Sequence, residues 1–264
     1  MSKIEVRNVS MDYVEKNTRF TALKDVSLTI EEGEFVSILG SSGCGKSTLL
    51  SVIGGLRKPA GGEVRINGTK VTGPGKDRGV VFQNYSLFPW MTVKRNVIYG
   101  LDQTARDLTR QQRKERAENF LSKVELSSCQ NKYPLQLSGG QQQRVAIARA
   151  LAMDTEILLM DEPFGALDPR TRVELQKLLL SLWRSDGDKK KTVVFVTHDV
   201  DEAIYLSDRI VIMQPDPGRV FKEVRVPFER PRDRDALIGT SEYQQLRSEL
   251  MDLFYHTEPE KEAV

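Results

Sequence analysis

Residues 40–47 are Gly40-Ser41-Ser42-Gly43-Cys44-Gly45-Lys46-Ser47, and this octapeptide fits the pattern G-x-x-x-x-G-K-[ST] of a phosphate-binding loop. The apolar run 35–39 before it is typical of a buried strand, and residues 48–53 after it are typical of a helix. A strand, a glycine-rich turn and a helix N-terminus together direct backbone N–H groups at a polyphosphate. The sequence therefore predicts nucleotide binding at this loop.

Each position of the loop has an expected role. The Lys46 ammonium is expected to reach the β- and γ-phosphates, and the Ser47 hydroxyl to bind Mg²⁺. Cys44 precedes a helix N-terminus that can lower a thiol pKa, so we expect its thiol to be alkylated and ATP to block the reaction. The residues expected to contact ATP here are Gly40, Ser41, Ser42, Gly43, Cys44, Gly45, Lys46, Ser47 and Thr48.

Composition excludes several function classes. Among 264 residues, 39 Lys and Arg balance 37 Asp and Glu, so no overall field attracts nucleic acid, and no nucleic-acid partner is expected. The two cysteines lack C-x-x-C spacing, which is typical of a reduced cytosolic protein. No apolar run approaches the roughly 18 residues that span a bilayer, and the N-terminus lacks a signal-peptide core. Any membrane role is expected to come through a partner.

Three continuous apolar runs predict an α/β core. Residues 35–39, 157–160 and 193–196 each have strand length and end at polar residues, as expected for parallel strands covered on both faces. Helical patterns separate them, including an apolar face at Leu175, Leu178, Leu179 and Leu182. In such sheets, side chains at the carboxyl ends of strands meet at the ligand crevice. The side chains expected to converge there are Lys46, Asp161, Glu162 and His198.

Residues outside these runs predict two further parts. The segment 109–125 is charged and helical, with a possible capping pair at Thr109 and Gln112, and no strand run occurs between about 87 and 137. We therefore expect a helical subdomain inserted into the core. Residues 4–9 and 28–30 alternate apolar and polar, which favours an antiparallel flank with one solvated face.

Asp161-Glu162 supplies acidic groups suited to ATP hydrolysis. Asp161 ends an apolar run and is expected to hold Mg²⁺, directly or through water. Glu162 is expected to act as general base on the attacking water, a role worth roughly 10²–10⁴-fold in rate.

A second glycine-rich turn, Leu137-Ser138-Gly139-Gly140-Gln141, also opens a helical pattern. Its backbone N–H groups at a helix N-terminus make a second anion site. From these residues alone, a flexible helix-start loop is an equally good interpretation.

In combination, the motifs resemble the ATP-binding cassette of ABC transporters. They are LSGGQ at 137–141, QQQRVAIARAL at 141–151 and ILLMDEPFGALD at 157–168, and the resemblance covers roughly residues 4–230. It implies a P-loop NTPase (RecA-like) α/β core with an antiparallel β flank and an inserted α-helical subdomain. The implied boundaries are 4–233 for the cassette (core about 4–86 and 150–233, helical subdomain about 87–149) and 234–264 for a C-terminal helix and tail.

The resemblance also implies an ATPase activity and roles for single residues. Gln83 matches the Q-loop glutamine that touches Mg²⁺ and the attacking water. His198 matches the switch histidine on the γ-phosphate, and residues 166–168 match the D-loop. Tyr13 matches the aromatic residue that stacks on adenine, with Phe20 as the alternative.

The family further implies a head-to-tail dimer. ATP bound at Lys46 of one subunit is then closed by a second copy of the chain. The residues implied to close it are Ser138, Gly139, Gly140, Gln141 and Asp168.

A narrower resemblance points to the nitrate/sulfonate/taurine-type importer ATPases. It rests on Gly73-Pro74-Gly75, residues 77–83, Phe88-Pro89-Trp90 and Pro217-Gly218-Arg219. It implies permease subunits that dock on residues 84–97, an extracytoplasmic substrate-binding protein, and a peripheral location on the cytoplasmic face of the membrane. Ordinary packing is the alternative for Phe88 and Trp90. An exporter of the lipoprotein or peptide type, which residues 22–26 also resemble, and a non-transport ABC ATPase are the alternative functions.

Overall fold

The computed structural model describes residues 2–15, 18–105, 107–165, 167–185 and 190–256. The chain divides into two compact units, Met1–Pro74 with Thr192–Val264, and Gly75–Lys191. The second unit contains the predicted helical subdomain, 87–149, together with flanking strands and a helix. The limits of this unit, Gly75 and Lys191, differ from the predicted subdomain boundaries at 86/87 and 149/150. Those boundaries stay a prediction.

Ten strands and eight helices are named in chain order. The strands are β1 (Ser2–Glu15), β2 (Thr18–Glu31), β3 (Phe35–Leu39), β4 (Gly61–Ile66), β5 (Thr69–Lys70), β6 (Arg78–Val81), β7 (Ile157–Asp161), β8 (Thr192–Thr197), β9 (Arg209–Gln214) and β10 (Arg219–Arg225). The helices are α1 (Lys46–Ile53), α2 (Val93–Thr104), α3 (Arg110–Lys123), α4 (Gly139–Ala152), α5 (Pro169–Ser185), α6 (Val200–Leu206), α7 (Arg234–Ile238) and α8 (Ser241–His256).

In the first unit, β3 lies parallel to β8 on one side and to β9 on the other, and β10 is antiparallel to β9. Every residue of β3 is buried, because both of its faces are covered. This confirms the interpretation of its continuous apolar run. The phosphate-binding motif follows at the carboxyl end of this strand.

The same unit carries a four-stranded sheet in the order β2-β1-β4-β5, whose neighbouring strands are antiparallel. Along β2, buried Val26, Leu28 and Ile30 alternate with exposed residues, so one face of the sheet is packed and the other solvated. The predicted antiparallel flank is confirmed.

The second unit pairs β6 with β7 in parallel and carries α2–α5. Thr109 and Gln112 form the predicted capping box at the start of α3. Close packing of α2 on α4 depends on Gly100, since a methyl group there would lie 2.9 Å from Met153 Cγ. The buried face of α3 and its C-terminal cap consists of Ala117, Phe120, Leu121 and Val124.

The C-terminal helix α8 packs on α6 through Leu246, Leu250 and Tyr243, as its apolar pattern indicates. The Tyr243 hydroxyl donates a 2.7 Å hydrogen bond to Asp201, and burial raises the pKa of that phenol. The predicted tail from 258 lies outside the described residues. In the part of the chain that the structure describes, no helix combines the length and apolar character needed to cross a membrane.

Candidate functional site

The phosphate-binding motif forms a tight loop between β3 and α1. Gly43 and Gly45 have φ angles of 86° and 93°, in the left-handed region that favours glycine. A methyl group on Gly45 would also lie 2.6 Å from Leu23 Cδ2 and 2.9 Å from the Ala22 carbonyl oxygen. Glycine at 45 is therefore required both by the backbone angle and by the close approach of β2.

Lys46 begins α1 and folds back across this loop. Its buried ammonium donates hydrogen bonds of 2.8 Å to the carbonyl oxygens of Gly40 and Ser41. The loop thus has a defined shape that places a cation beside its own backbone. Such a concave arrangement of N–H groups, helix N-terminus and ammonium suits a polyphosphate.

Cys44 is buried rather than accessible. Its side chain has no exposed surface, and a methyl group on Gly40 would lie 2.6 Å from its sulfur. Alkylation of this thiol would require the loop to open, because the sulfur is buried, and the expected alkylation stays a prediction. Residue 44 serves as a small residue that fills the space beneath the loop.

Both candidates for adenine stacking lie together on the first unit. Tyr13 and Phe20 are direct partners across the β1–β2 pair, so their side chains share one face of the sheet. The Tyr13 hydroxyl lies 3.2 Å from Thr48 Oγ1 on α1, and the Arg57 guanidinium covers its ring at 5.0 Å from the centroid. Phe20 is half exposed. Sequence reasoning missed Arg57, because no local pattern links it to the ring.

His198 follows β8 and is exposed. It lies between two fixed groups. Asp199 caps α6 by accepting the Glu202 N–H, and Thr197 donates a 2.7 Å hydrogen bond to the buried Glu202 carboxylate. These bonds fix the backbone on the C-terminal side of β8, and the His198 imidazole lies at the surface.

The acidic pair belongs to the second unit. Asp161 is the last residue of β7, and Glu162 follows with a φ of 41°, which is unusual for a residue other than glycine. Such strained backbone is concentrated at functional sites. Both side chains are partly exposed. The predicted convergence of these carboxylates with Lys46 and His198, which belong to the first unit, stays a prediction.

The second glycine-rich turn, residues 137–141, is called the signature turn here. Ser138 and Gln141 cap α4 reciprocally, each side chain accepting the other's backbone N–H, at 3.3 Å and 3.1 Å. This capping box gives the turn a defined backbone, which favours the anion-site interpretation over a flexible loop. The turn lines an open groove of about 470 Å³ that also contains Arg144, Asp168 and Thr171.

Asp168 lies in the same groove, immediately before α5. It accepts a 3.1 Å hydrogen bond from the Thr171 N–H, and hydrogen bonds from the Thr171 side chain and backbone hold the pKa of this carboxyl below its ordinary value. The structure thus gathers Ser138, Gly139, Gly140, Gln141 and Asp168 at one surface. Ala166, the first residue of the predicted D-loop, lies outside the described residues.

The residues predicted to hold Mg²⁺ offer oxygen donors. They are the Ser47 hydroxyl in the first turn of α1, the Asp161 carboxylate at the end of β7 and the exposed Gln83 amide. Magnesium prefers such oxygen ligands and usually binds through one or two side chains plus phosphates. The donor set therefore fits the ion. Among described residues, no group of three or more His, Cys, Asp and Glu is arranged to hold a metal.

Comparison with known proteins places this geometry in a family. The family model for ABC transporters matches residues 23–165. A Methanocaldococcus jannaschii protein, described as an uncharacterized ABC transporter ATP-binding protein, is 47% identical over 251 residues, which cover 95% of this chain and 91% of that protein.

Two cyanobacterial relatives have described transport roles. The bicarbonate transport ATP-binding protein CmpD of Synechocystis is 44% identical over 254 residues, covering 96% of this chain and 89% of that protein. The nitrate import ATP-binding protein NrtD of Synechococcus elongatus is 44% identical over 237 residues, covering 89% and 85%. Among solved structures, a dimeric ATP-binding cassette in a post-hydrolysis state with ADP and Pi matches with a TM-score of 0.76 and 40% identity, covering 86% of this chain and all of that one.

Proposed function

The chain belongs to the ABC transporter family as an ATP-binding subunit with ATPase activity, and we propose that it powers an importer for a small anion. Its similarity to bicarbonate and nitrate transport proteins supports this substrate class. The observation that carries the proposal is the groove in which the signature turn and Asp168 lie together. The backbone N–H groups of the signature turn lie at the N-terminus of α4, a position that favours an anion and suits the phosphates of a nucleotide held by another subunit.

ATP binds first at the phosphate loop. The triphosphate replaces the carbonyls of Gly40 and Ser41 as partner of the Lys46 ammonium. Tyr13 or Phe20 stacks on the base. Ser47, Asp161 and Gln83 are the residues that would hold Mg²⁺, which would neutralise charge on the phosphates.

The chain's own groups then direct hydrolysis. Glu162 removes a proton from the attacking water, and Gln83 orients that water. His198 donates a hydrogen bond to the γ-phosphate, on which charge is redistributed as the bond to the leaving group breaks. Each role suits the group that performs it. A carboxylate acts as the base, an amide orients the water, and an imidazole donates the hydrogen bond.

A second copy of the chain completes the site. Ser138, Gly139, Gly140, Gln141 and Asp168 of one subunit close on the ATP held by Lys46 of the other. The dimeric cassette of the solved relative supports this arrangement. ATP then favours the closed dimer and hydrolysis releases it, because only the intact triphosphate contacts both subunits.

Residues 84–97 form the surface for the permease subunits, on the cytoplasmic face of the membrane. Trp90 is 70% exposed there and packs against Phe88, with ring centroids 5.6 Å apart. An exposed tryptophan anchored by a second aromatic residue suits a protein contact. An extracytoplasmic binding protein delivers the anion to the permease.

The test is reconstitution of the chain with its permease subunits and binding protein in proteoliposomes. We expect ATP-dependent uptake of bicarbonate, nitrate or a sulfonate tracer. Uptake should be lost in Lys46→Ala and kept in Lys24→Ala, which alters an exposed lysine on β2. ATP hydrolysis with no co-purifying membrane protein and no tracer movement would contradict a transport role, and outward movement would make the complex an exporter.

A further inference from the structure

The loop after Gln83 has an unusual backbone. Tyr85 and Ser86 have consecutive φ angles of 55° and 46°, in the left-handed region, although neither is glycine. The loop begins with a turn in which the Tyr85 N–H donates to the Phe82 carbonyl at 3.1 Å. Backbone of this kind is unfavourable and persists only where the surroundings hold it in place.

Arg149 of α4 holds this loop. Its guanidinium donates to the carbonyl oxygens of Ser86, at 2.8 Å, and Tyr85, at 3.2 Å. The same group lies 6.0 Å from the centroid of the Phe88 ring. Burial lowers the pKa of Arg149, and within the described ranges no carboxylate pairs with it. A partly desolvated cation therefore depends on the carbonyls of this loop.

The arginine stem is itself fixed. A methyl group on Gly100 of α2 would lie 3.1 Å from Arg149 Cγ, so the helix backbone packs directly on the stem. With its stem held and both terminal nitrogens bonded, Arg149 has little rotational freedom.

The Tyr85 side chain reaches the other end of α4. A methyl group added to Gly139 of the signature turn would lie 3.2 Å from the Tyr85 hydroxyl oxygen. That distance is tighter than ordinary contact, so the hydroxyl rests against the glycine. The loop is thus tied to α4 at two places: through its carbonyls near the end of the helix and through a side chain at its start.

We propose that Tyr85 and Arg149 are positioning residues that make the loop at Gln83 and the signature turn move as one body. The proposal rests on the proposed function, in which the permease contacts residues 84–97 and the signature turn closes on the partner's ATP. Displacement of the loop by the permease then shifts Tyr85 and Arg149 together, and α4 with its signature turn follows. Neither side chain touches the nucleotide of its own subunit's phosphate loop in this scheme.

The test compares permease-stimulated with basal ATPase activity in the reconstituted complex. Arg149→Met keeps the stem but removes both hydrogen bonds, and we expect the stimulation ratio to fall roughly 2- to 30-fold, the range seen for coupling residues. Basal activity and ATP affinity should change less than about twofold, and Arg149→Lys, which keeps the charge, should recover part of the ratio. Arg116→Met is the matched control, since it breaks an ion pair with Asp154 in the same unit.

A second pair of variants tests the Tyr85 contact. Gly139→Ala forces its new methyl group against the Tyr85 hydroxyl and should lower the stimulation ratio. Tyr85→Phe removes that oxygen, so the double variant Tyr85→Phe/Gly139→Ala should be less impaired than Gly139→Ala alone. This non-additivity is the signature of direct coupling. Strictly additive losses would overturn the contact.

Failure of the inference is distinguishable from failure of the proposed function. If the wild-type chain is not stimulated by its permease, the proposed function is wrong. If the permease stimulates Arg149→Met and Tyr85→Phe as strongly as it stimulates the wild type and Arg116→Met, the proposed function stands. Only the link between the loop at Gln83 and the signature turn is then overturned. An equal loss of basal activity, thermal stability and stimulation in Arg149→Met would show a general structural role and would also overturn it.

Discussion

The backbone of Gly218 packs directly against the carbonyl oxygen of Cys44 in the phosphate loop. A methyl group on Gly218 would lie 2.4 Å from that oxygen and 2.6 Å from the Ala22 carbonyl oxygen. Gly218 also donates to Ala22 at 3.2 Å and accepts from the Lys24 N–H at 3.0 Å. The main chain of the turn between β9 and β10 therefore supports the phosphate loop.

Replacing Gly218 with alanine should displace the turn between β9 and β10 that packs against the phosphate loop. The methyl group meets backbone atoms, which cannot rotate away, so we expect a loss of about 1–3 kcal/mol in the free energy of unfolding. ATP should also bind more weakly, as titration calorimetry will show. In the control Gly239→Ala, φ is −77° and the nearest atom is 3.8 Å away, so both values should be unchanged. Wild-type stability and affinity in Gly218→Ala would contradict the packing.

Tyr13→Ala should weaken binding of ATP but not of inorganic triphosphate. Stacking of a base on an aromatic ring contributes roughly 1–3 kcal/mol, and inorganic triphosphate has no base to stack. Fluorescence titration of both ligands measures the difference. Phe20→Ala is the matched variant on the opposite strand. If Phe20→Ala alone shows the selective loss, Phe20 is the stacking residue.

Glu162→Gln should nearly abolish ATP hydrolysis and leave an ATP-bound dimer. The amide cannot accept the proton of the attacking water, and loss of a general base costs roughly 10²–10⁴-fold in rate. Turnover assays and sedimentation in the presence of ATP measure both effects. Glu249→Gln, which alters an exposed ion pair with Lys222, should behave as the wild type. Wild-type turnover in Glu162→Gln would remove Glu162 from this role.

Truncating Phe88 and Trp90 to alanine should uncouple transport and leave basal ATPase activity intact. Trp90 is mostly exposed, so Trp90→Ala alone should not lower the melting temperature. Phe88 packs edge-on against Tyr99 at 4.6 Å between centroids, so its truncation should cost some stability. Uptake assays in proteoliposomes beside ATPase assays without permease separate the two effects. Normal uptake by the double variant would exclude this surface from coupling.

Asp154→Asn should lower stability at neutral pH but not in acid. Burial alone would raise the pKa of the Asp154 carboxyl, but Lys191 at 2.9 Å and Arg116 at 3.3 Å hold it below its ordinary value of 3.8. Because the folded-state pKa is lowered, the stabilisation is present above pH 3.8 and is lost as the pH falls below it. Asp154 is more than half exposed, so at most about 1 kcal/mol is expected.

Urea unfolding at pH 7 and below pH 3.8 measures this difference. Asp107→Asn, at an exposed position of the same unit, is the control. A difference between Asp154→Asn and the wild type that persists in acid would mean that its effect is not electrostatic.

Local patterns predicted those parts of the fold whose cause is local. The apolar runs of β3, β7 and β8, and the capping box at Thr109, depend on residues within a few positions of each other. The signature turn was recognised from its glycines, although only the structure shows the Ser138–Gln141 cap that orders it.

Contacts between distant segments were not predictable in this way. The burial of Cys44, the Arg57 group over Tyr13 and the Arg149 bonds to the loop after Gln83 all depend on how separate elements pack. Composition and periodicity do not indicate which residues of distant segments come into contact. For adenine stacking, the family resemblance left Tyr13 and Phe20 as two candidates, and strand register shows that they are neighbours.

The hydrogen bonds from Lys46 to Gly40 and Ser41 bear on selectivity. A simple monovalent anion would have to outcompete two carbonyl oxygens to bind the Lys46 ammonium. A polyanion offers several oxygens to the ammonium at once, so it replaces the two carbonyls more readily. These two hydrogen bonds therefore favour a polyanion over chloride as the partner of Lys46.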